Sequence, residues 1–146
     1  MKGISNGNEL QGRTAIITGA SQGLGLEIAM RYVAAGASVI ICARDEGMLS
    51  EAVDVLKRSA SNDQVIFHMV ADVAESESVD ALIDFAIDKM SRIDILVNNA
   101  GIYGPKGPTD SIDWVQWVQA INVNLLGSVL MCRAVIPHMK RQGYGK

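Results

Sequence analysis

A glycine-rich turn near the start of the chain separates an apolar run from an amphipathic pattern. The segment Thr14–Ile17 is apolar, Thr18-Gly19-Ala20-Ser21-Gln22-Gly23-Leu24-Gly25 follows it, and a helical pattern runs from Leu26 to Ala35. Glycines at a strand-to-helix turn let backbone N–H groups approach a phosphate, where the helix dipole favours negative charge. The turn therefore predicts a phosphate site within a βαβ unit. No Gly-Lys-Ser/Thr closes the motif, which excludes a nucleoside triphosphate P-loop.

The spacing of this turn, Gly-x-x-x-Gly-x-Gly, differs from the commoner dinucleotide fingerprint Gly-x-Gly-x-x-Gly. We expect Gly19 to make the turn, Gly23 to admit a pyrophosphate, and Gly25 to allow close packing of the helix. The alternative is that the glycines serve only a tight strand-to-helix turn. The residues predicted to hold the phosphates are Gly19, Ser21, Gln22, Gly23, Leu24 and Gly25.

Apolar, strand-like runs alternate with amphipathic helical stretches along the chain. This alternation predicts an α/β fold with a doubly wound parallel (Rossmann) sheet in the order 3-2-1-4. The last helix is apolar on several sides, so one side is expected to meet either a partner subunit or more of its own subunit. Pro137 is expected to kink or end it. Strands are predicted at 14–18, 38–43, 64–70 and 93–97, and helices at 24–35, 45–59, 75–90 and 110–139.

Composition and charge narrow the class of protein. The chain has 146 residues, 49% of them hydrophobic, which suffices for the core of one domain over 10–146. The tail over 1–9 is polar and lacks the apolar core of a secretory signal. A net charge of −3 argues against nucleic acid as a partner, and no apolar run approaches bilayer length without polar interruption. The absence of such a run predicts no membrane partner. Cys42 and Cys132 lack the spacing of disulfides or of metal ligands, so we expect buried free thiols, no metal and a cytoplasmic location.

The end of the second strand predicts which dinucleotide is bound. An acidic residue there would bind the ribose hydroxyls of NAD, whereas an Arg accommodates the 2′-phosphate of NADP. The run Val39–Ala43 ends without an acid, and Arg44 follows at once. Asp45 is expected to cap the next helix. This pattern favours NADP over NAD; in the alternative, Arg44 is only solvated or is paired with Asp45.

Two further motifs follow the third and fourth strands. Asp72 is expected to accept a hydrogen bond from an adenine amino group while Val73 packs on the base, although Asp72 and Glu75 also resemble a helix capping box. The run Asn98-Asn99-Ala100-Gly101 stands where ligands bind in a doubly wound sheet. Its paired amides are suited to tying loops together, and Ala-Gly leaves room for a ribose; a plain turn is the alternative. From this run, Asn98, Ala100 and Gly101 are predicted to bind the cofactor.

Together with the run Asn122-Val123-Asn124-Leu125-Leu126-Gly127, these motifs resemble the short-chain dehydrogenase/reductase family from about residue 10 to the C-terminus. The resemblance implies hydride transfer between C4 of a nicotinamide ring and a carbonyl or alcohol carbon of a small molecule, by a homo-oligomer (dimer or tetramer) when intact. It also implies a mid-helix catalytic Asn that holds a water in a proton relay beside a lysine. Asn124 fits that position better than Asn122, with a structural buried amide as the alternative.

The chain departs from the family where the proton donor is expected. The family uses a Tyr four residues before a Lys, together with an upstream Ser. Tyr32 and Tyr103 have a glycine at that spacing, and Tyr144 has the end of the chain. We therefore expect the N-terminal part of a longer enzyme, inactive alone, with a fifth strand approached but missing. The alternative is a non-catalytic dinucleotide-binding or interaction module that natively ends near Lys146, and a methyltransferase on a similar sheet is a weaker third.

The missing strands carry a structural expectation. Without them, the fourth strand at 93–97 becomes an exposed hydrophobic edge. Such an edge pairs readily with other chains. The chain alone is therefore expected to be unstable or self-associated.

Overall fold

The computed structural model describes residues 9–146, so the predicted tail over 1–9 lies almost wholly outside the described part. Strands and helices alternate in sequence and form a layered α/β structure. The strands are β1 (Thr14–Thr18), β2 (Ser38–Ala43), β3 (Ile66–Val70) and β4 (Ile95–Val97). The helices are α1 (Gly23–Ala34), α2 (Glu46–Lys57), α3 (Ser76–Met90), α4 (Trp114–Ile121) and α5 (Gly127–Gln142), with a π-helical turn at Asn122–Leu126 between the last two.

The four strands form one parallel sheet in the order β3-β2-β1-β4, which confirms the predicted doubly wound topology. Ile16 pairs with Ile40 on one side and with Leu96 on the other. Parallel neighbours need a crossover connection, and helices α1 to α3 supply it. The carboxyl ends of all four strands therefore meet at one edge of the sheet.

Hydrophobic cores lie on both faces of the sheet because successive strand residues point to opposite faces. Ile17 and Ile41 face α1 and α2, whereas Ile16 and Ile40 face α3 and α5. Both sets are fully buried, which explains the continuous apolar runs in the strands. The helix residues that complete the two cores include Ala29, Val33, Leu49 and Leu56 on one face and Val79, Leu82, Met131 and Val135 on the other.

The last helical stretch differs from its predicted bounds of 110–139. It begins at Trp114 because Asp113 caps it, with the carboxylate accepting a hydrogen bond from the Gln116 N–H at 3.1 Å. It also continues past Pro137 to Gln142. The side-chain amide of Gln142 donates to the Ile93 carbonyl at 2.9 Å and accepts from its N–H at 3.1 Å. These bonds anchor the turn that follows the proline, so Pro137 does not end the helix.

The continuous helix Trp114–Gln142 is long and apolar enough, by length and composition, to cross a bilayer, with a mean hydropathy of 1.5 over an 18-residue window. Two polar residues, Asn122 and Asn124, interrupt its apolar sequence but not the helix. Val123 and Met131 belong to the core against the sheet. One side of this helix is therefore occupied by the fold itself.

The outer edge of β4 carries the last residue of the chain. The Lys146 N–H donates to the Asp94 carbonyl at 2.9 Å, and the Leu96 N–H donates to the Lys146 carbonyl at 3.0 Å. This is the start of parallel pairing, as expected for an approach to a fifth strand. Within the described residues β4 has one neighbouring strand, but Ile95 is buried and Leu96 is half-buried. Helices therefore cover both faces of β4, with Ile95 in the core on the α1 and α2 side and Leu96 against the core on the α3 and α5 side. The expected self-association along its edge stays a prediction.

Candidate functional site

A cleft of about 720 Å³ opens at the carboxyl ends of the four strands. Ligands of doubly wound sheets bind at this edge. All the predicted site residues except Asn98 line it: Gly19, Ser21, Gln22, Gly23, Leu24, Gly25, Arg44, Asp72, Val73, Ala100, Gly101 and Asn124. The structure thus brings together residues that lie up to 105 positions apart in the sequence, from Gly19 to Asn124.

The glycine turn has the conformation and the free space that its sequence predicts. Gly19 has a φ of +64°, and a Cβ there would lie 2.7 Å from the Ala100 Cα. A Cβ on Gly25 would lie 2.8 Å from the Ala20 Cα, so the helix packs closely on the turn. Gly23 has a φ of +57° but nothing within 4 Å of its Cβ position. The turn is therefore closed on its protein side and open towards the cleft.

Helix α1 begins at this turn without a side-chain cap. Its N-cap residue is Gln22, whose side chain makes no capping hydrogen bond, and its first turn contains no acidic residue. The first N–H groups of an α-helix have no partner inside the helix, and they carry the positive end of the dipole. An anion in the cleft would satisfy them.

Thr18 and Asn99, which were not predicted as site residues, hold the turn against the end of β4. The Thr18 hydroxyl oxygen accepts hydrogen bonds from the N–H groups of Asn99 and Ala100, both at 3.0 Å. The Asn99 amide donates to the carbonyls of Thr18 at 2.9 Å and Gly19 at 3.0 Å. The paired amides of the sequence indicated such a tie between loops. The sequence does not predict the role of Thr18, because its buried side chain lies within the apolar run of β1.

Asn98 is the one predicted cofactor-binding residue that does not line the cleft, so its role in binding stays a prediction. Its amide faces α5 and donates to the Ser128 carbonyl at 3.4 Å and to the Cys132 sulfur at 3.3 Å. Side chains of consecutive residues in extended backbone point in opposite directions. Since Asn99 points towards β1 and the glycine turn, Asn98 points away from them.

Arg44 and Asp45 form one wall of the cleft after β2. The Asp45 carboxylate accepts a hydrogen bond from the Met48 N–H at 2.8 Å, which confirms its predicted helix cap. Arg44 is exposed and makes no salt bridge with any residue in 9–146. Its guanidinium is therefore free to bind an anion at the edge of the cleft.

Asp72 and Val73 line the cleft after β3, the strand next to β2. The Asp72 carboxylate accepts from the Ala74 N–H at 3.0 Å, an Asx turn, and α3 starts only at Ser76 without a side-chain cap. The expected capping box between Asp72 and Glu75 is therefore wrong, because Glu75 is itself the N-cap residue. Val73 is buried beside α5, where a Cβ on Gly127 would lie 2.8 Å from its Cγ2.

Asn124 reaches the cleft from the π-helical turn. Its Oδ1 accepts from the Ile102 N–H and its Nδ2 donates to the Ile102 carbonyl, both at 2.8 Å. The expectation that this amide has hydrogen-bond partners is confirmed, but Asn124 is exposed rather than buried. Its own backbone carbonyl accepts a hydrogen bond from the Ser128 hydroxyl at 3.2 Å. Ile102 thus uses one N–H of Nδ2 and one lone pair of Oδ1, so the exposed amide retains a second N–H and a second lone pair.

Cys42, like Tyr103, is a further titratable residue in the cleft wall. Burial raises the pKa of its thiol to about 12, against a lowering by the Gly19 N–H. The thiol therefore stays protonated near neutral pH and is a poor nucleophile. Across residues 9–146, no group of three or more His, Cys, Asp or Glu side chains is placed to hold a metal ion.

The parallel sheet, the glycine turn at an uncapped helix N-terminus and the cleft at the strand ends define a Rossmann-type nucleotide-binding protein. Comparison with known proteins gives the family: the short chain dehydrogenase family matches residues 13–146. The chain therefore belongs to the short-chain dehydrogenases/reductases, as its sequence motifs indicated.

Relatives and solved structures agree with this family. The 7alpha-hydroxysteroid dehydrogenase of Escherichia coli K12 is 36% identical over 141 residues, covering 97% of this chain and 53% of the enzyme. An NAD+-bound xylitol dehydrogenase is 25% identical with a TM-score of 0.89, covering 94% of this chain and 52% of its own. A metagenomic short-chain oxidoreductase in complex with NADP is 31% identical with a TM-score of 0.86, covering 93% of this chain and 60% of its own. The chain thus spans about half the length of these relatives.

Proposed function

We propose that this chain is the cofactor-binding part of an oxidoreductase that transfers a hydride between NADP(H) and a carbonyl or alcohol carbon of a small molecule. The observation that carries the proposal is the cleft, which gathers the glycine turn, Arg44, Asp72 and Asn124 at one edge of the sheet. Family membership supports the reaction type.

The residues of the cleft fit a dinucleotide. The turn leaves open space at Gly23, the N–H groups of α1 have no capping side chain, and Ser21 lines the cleft. These groups would hold the two phosphates. Asp72 and Val73 would take the adenine, and Ala100 and Gly101 would leave room for a ribose.

Arg44 favours NADP over NAD. It is exposed at the cleft edge and unpaired among the described residues, and no acidic side chain stands at the end of β2. A guanidinium binds a 2′-phosphate through charge-assisted hydrogen bonds. Solved relatives include one bound to NAD+ and one bound to NADP, so the family alone does not select the cofactor.

Hydride transfer is the chemistry that a nicotinamide cofactor supplies when bound. The contribution proposed for Asn124 is to a proton relay through a water. Ile102 engages one N–H and one lone pair of that side chain, so the second N–H and the second lone pair of the exposed amide are available to hold a water. We propose that the Ser, Tyr and Lys that complete the site follow Lys146 in a longer protein, and that the 146 residues alone do not turn over substrate.

The partners proposed for the intact protein are a small-molecule substrate and further copies of itself. Helices α4 and α5 and the π-helical turn between them expose large apolar side chains that include Trp114, Trp117, Leu125 and Val129. A contiguous apolar face of this kind is typical of a subunit interface.

A cytoplasmic location is proposed on the two cysteines, which are both free.

Binding titrations test the cofactor assignment directly. NADPH, NADH and S-adenosylmethionine are titrated into the protein by calorimetry, with Arg44→Ser as the matched variant. We expect NADPH to bind more tightly than NADH, no binding of S-adenosylmethionine, and a loss of about ten- to a hundredfold in NADPH affinity for Arg44→Ser. The NADH affinity is expected to change little. Absence of NADPH binding, or equal effects of Arg44→Ser on both nucleotides, would contradict the NADP assignment.

A further inference from the structure

A side-chain hydrogen bond outside the cleft joins the start of α2 to the edge strand β3. The His68 Nε2 lies 2.9 Å from the Glu46 Oε1, with 26% and 65% of the two side chains exposed. Glu46 is the first residue of α2, and His68 is paired in the sheet with Ile41 of β2. This contact fixes a carboxylate next to the segment that bears Arg44.

The position of Glu46 has an electrostatic consequence for the cleft. Arg44, Asp45 and Glu46 are consecutive, so this short segment has one positive and two negative side chains. Asp45 is engaged as the cap of α2, with its Oδ1 on the Met48 N–H. Glu46 is the remaining acid within two residues of Arg44, and its carboxylate is free to turn unless something holds it.

The structure places this carboxylate away from the cleft. Arg44 and Asp45 line the cleft, whereas Glu46 and His68 do not. A carboxylate that turned towards Arg44 would compete with a phosphate for the guanidinium and would repel the phosphate. The His68 contact draws it towards β3 instead.

We propose that His68 is a positioning residue for recognition of the 2′-phosphate of the cofactor, because it holds Glu46 away from Arg44. The inference rests on the proposed NADP function and adds to it a residue of β3 that does not touch the cleft. His68 acts through Glu46, so its effect depends on the charge of Glu46. The effect is confined to ligands that carry the 2′-phosphate.

NADP+ and NAD+ differ only in the 2′-phosphate, so the ratio of their dissociation constants isolates this effect. We measure both by calorimetry for the wild-type protein, His68→Ala, Glu46→Gln and the double variant. Removing His68 is expected to weaken NADP+ binding about two- to fivefold, the range of exposed ion pairs, and to leave NAD+ binding unchanged. Glu46→Gln is expected to keep or improve NADP+ binding. In the double variant the effect of His68→Ala is expected to vanish, because the carboxylate is gone.

Two further variants separate positioning from general effects. His68→Gln retains an N–H donor for Glu46 and is expected to restore most of the wild-type NADP+/NAD+ ratio. Glu51→Gln removes an exposed carboxylate from the same helix and is expected to leave the ratio unchanged. Thermal unfolding of each variant identifies any loss of folded protein before the titrations are compared.

The outcomes for the inference and for the proposed function are distinct. If the wild-type protein does not prefer NADP+, the proposed cofactor is wrong, and the proposed role of His68 is then wrong as well. If the wild-type protein prefers NADP+ but His68→Ala weakens both nucleotides equally, His68 is only structural and the inference is overturned. It is also overturned if the double variant is as impaired as His68→Ala.

Discussion

The side-chain amide of Asn124 pairs with the backbone of Ile102 as a neighbouring strand would. Oδ1 accepts from the Ile102 N–H and Nδ2 donates to the Ile102 carbonyl, both at 2.8 Å. Asn124 lies in a π-helical turn, and Ile102 follows the Ala100-Gly101 segment of the cleft. The wide helical turn and the cleft loop are therefore joined by one side chain.

Replacing Asn124 is expected to loosen the loop that follows β4. Asn124→Ala removes two hydrogen bonds at an exposed position and should reduce the free energy of unfolding by about 1 kcal/mol. Hydrogen exchange should show faster exchange of the Ile102 N–H. Asn122→Ala is the control within the same π-helical turn and should leave that exchange rate unchanged. Unaltered protection of Ile102 in Asn124→Ala would contradict the role described here.

Two glycines of the phosphate turn are expected to respond differently to the same substitution. Gly25→Ala places a Cβ against Ala20 and the Asn99 amide, so unfolding should become easier by roughly 3 kcal/mol. The methyl group of Gly23→Ala meets no protein atom, so the free energy of unfolding falls only by the strain of a left-handed alanine backbone, about 1–2 kcal/mol. That methyl group does, however, enter the cleft. Denaturant unfolding and NADPH titration measure the two effects. The distinction is wrong if Gly23→Ala binds NADPH normally.

Thr18 is expected to stabilise the end of β4 through its hydroxyl. Thr18→Val leaves the N–H groups of Asn99 and Ala100 without their acceptor, at a cost of roughly 2–3 kcal/mol in the free energy of unfolding. Thr18→Ser keeps the hydroxyl and is the matched control, with a much smaller loss. Denaturant titration of the two variants compares them, and equal losses would show that packing, not hydrogen bonding, is what Thr18 supplies.

The sequence sufficed for the sheet order and the place of the cleft because strand–helix alternation specifies βαβ units, whose crossovers restrict the order of the strands and whose carboxyl ends bind ligands. Apolar runs alternate with amphipathic ones, and the glycine turn falls between the first strand and the first helix. The cap at Asp45 was predictable for the same reason: it needs only an acidic side chain before a helical pattern. The glycine turn and the helix cap are each determined by about ten residues of chain.

The sequence was insufficient where a side chain's direction or a distant contact decides the outcome. Asn98 and Asn99 are identical residues, and only the end of β4 determines which one faces the cleft. The π-helical turn keeps the apolar pattern of an α-helix, so its presence depends on the tertiary contact between Asn124 and Ile102. The role of His68 beside Glu46 likewise joins two elements that the sequence separates by 22 positions.

The apolar face formed by α4 and the π-helical turn after it is expected to mediate self-association. Ile121 and Leu125 are 41% and 56% exposed on this face. The double variant Ile121→Glu/Leu125→Glu places two charges in the proposed interface and should weaken association by about thirtyfold or more. Sedimentation equilibrium measures the change, and Gln119→Glu on an exposed polar position of the same helix is the control. A wild-type protein that is monomeric at all concentrations would refute the proposed oligomer.

Asp94 is expected to make the stability of the fold depend on acid pH. Its side chain is fully buried, accepts from the Thr14 N–H at 3.0 Å and from Arg92 Nε at 3.0 Å, and lies 3.4 Å from Arg13. Burial by itself would raise the pKa of Asp94, but the hydrogen bonds from Arg92 and Thr14 and the charges of both arginines lower it below its usual range.

Because the folded pKa is lowered, Asp94 contributes stability that is fully present above the unfolded pKa of about 3.9 and is lost as the pH falls through the lower folded pKa. Asp94→Asn should reduce the free energy of unfolding at pH 7 by roughly 2 kcal/mol, a value discounted because both arginines are partly exposed. The difference between wild type and variant should shrink below about pH 4. Asp88→Asn, in an exposed pair with Lys89, is the control and should change stability little at either pH. A difference that persists undiminished at low pH would show that the carboxylate's charge is not what stabilises this end of the sheet.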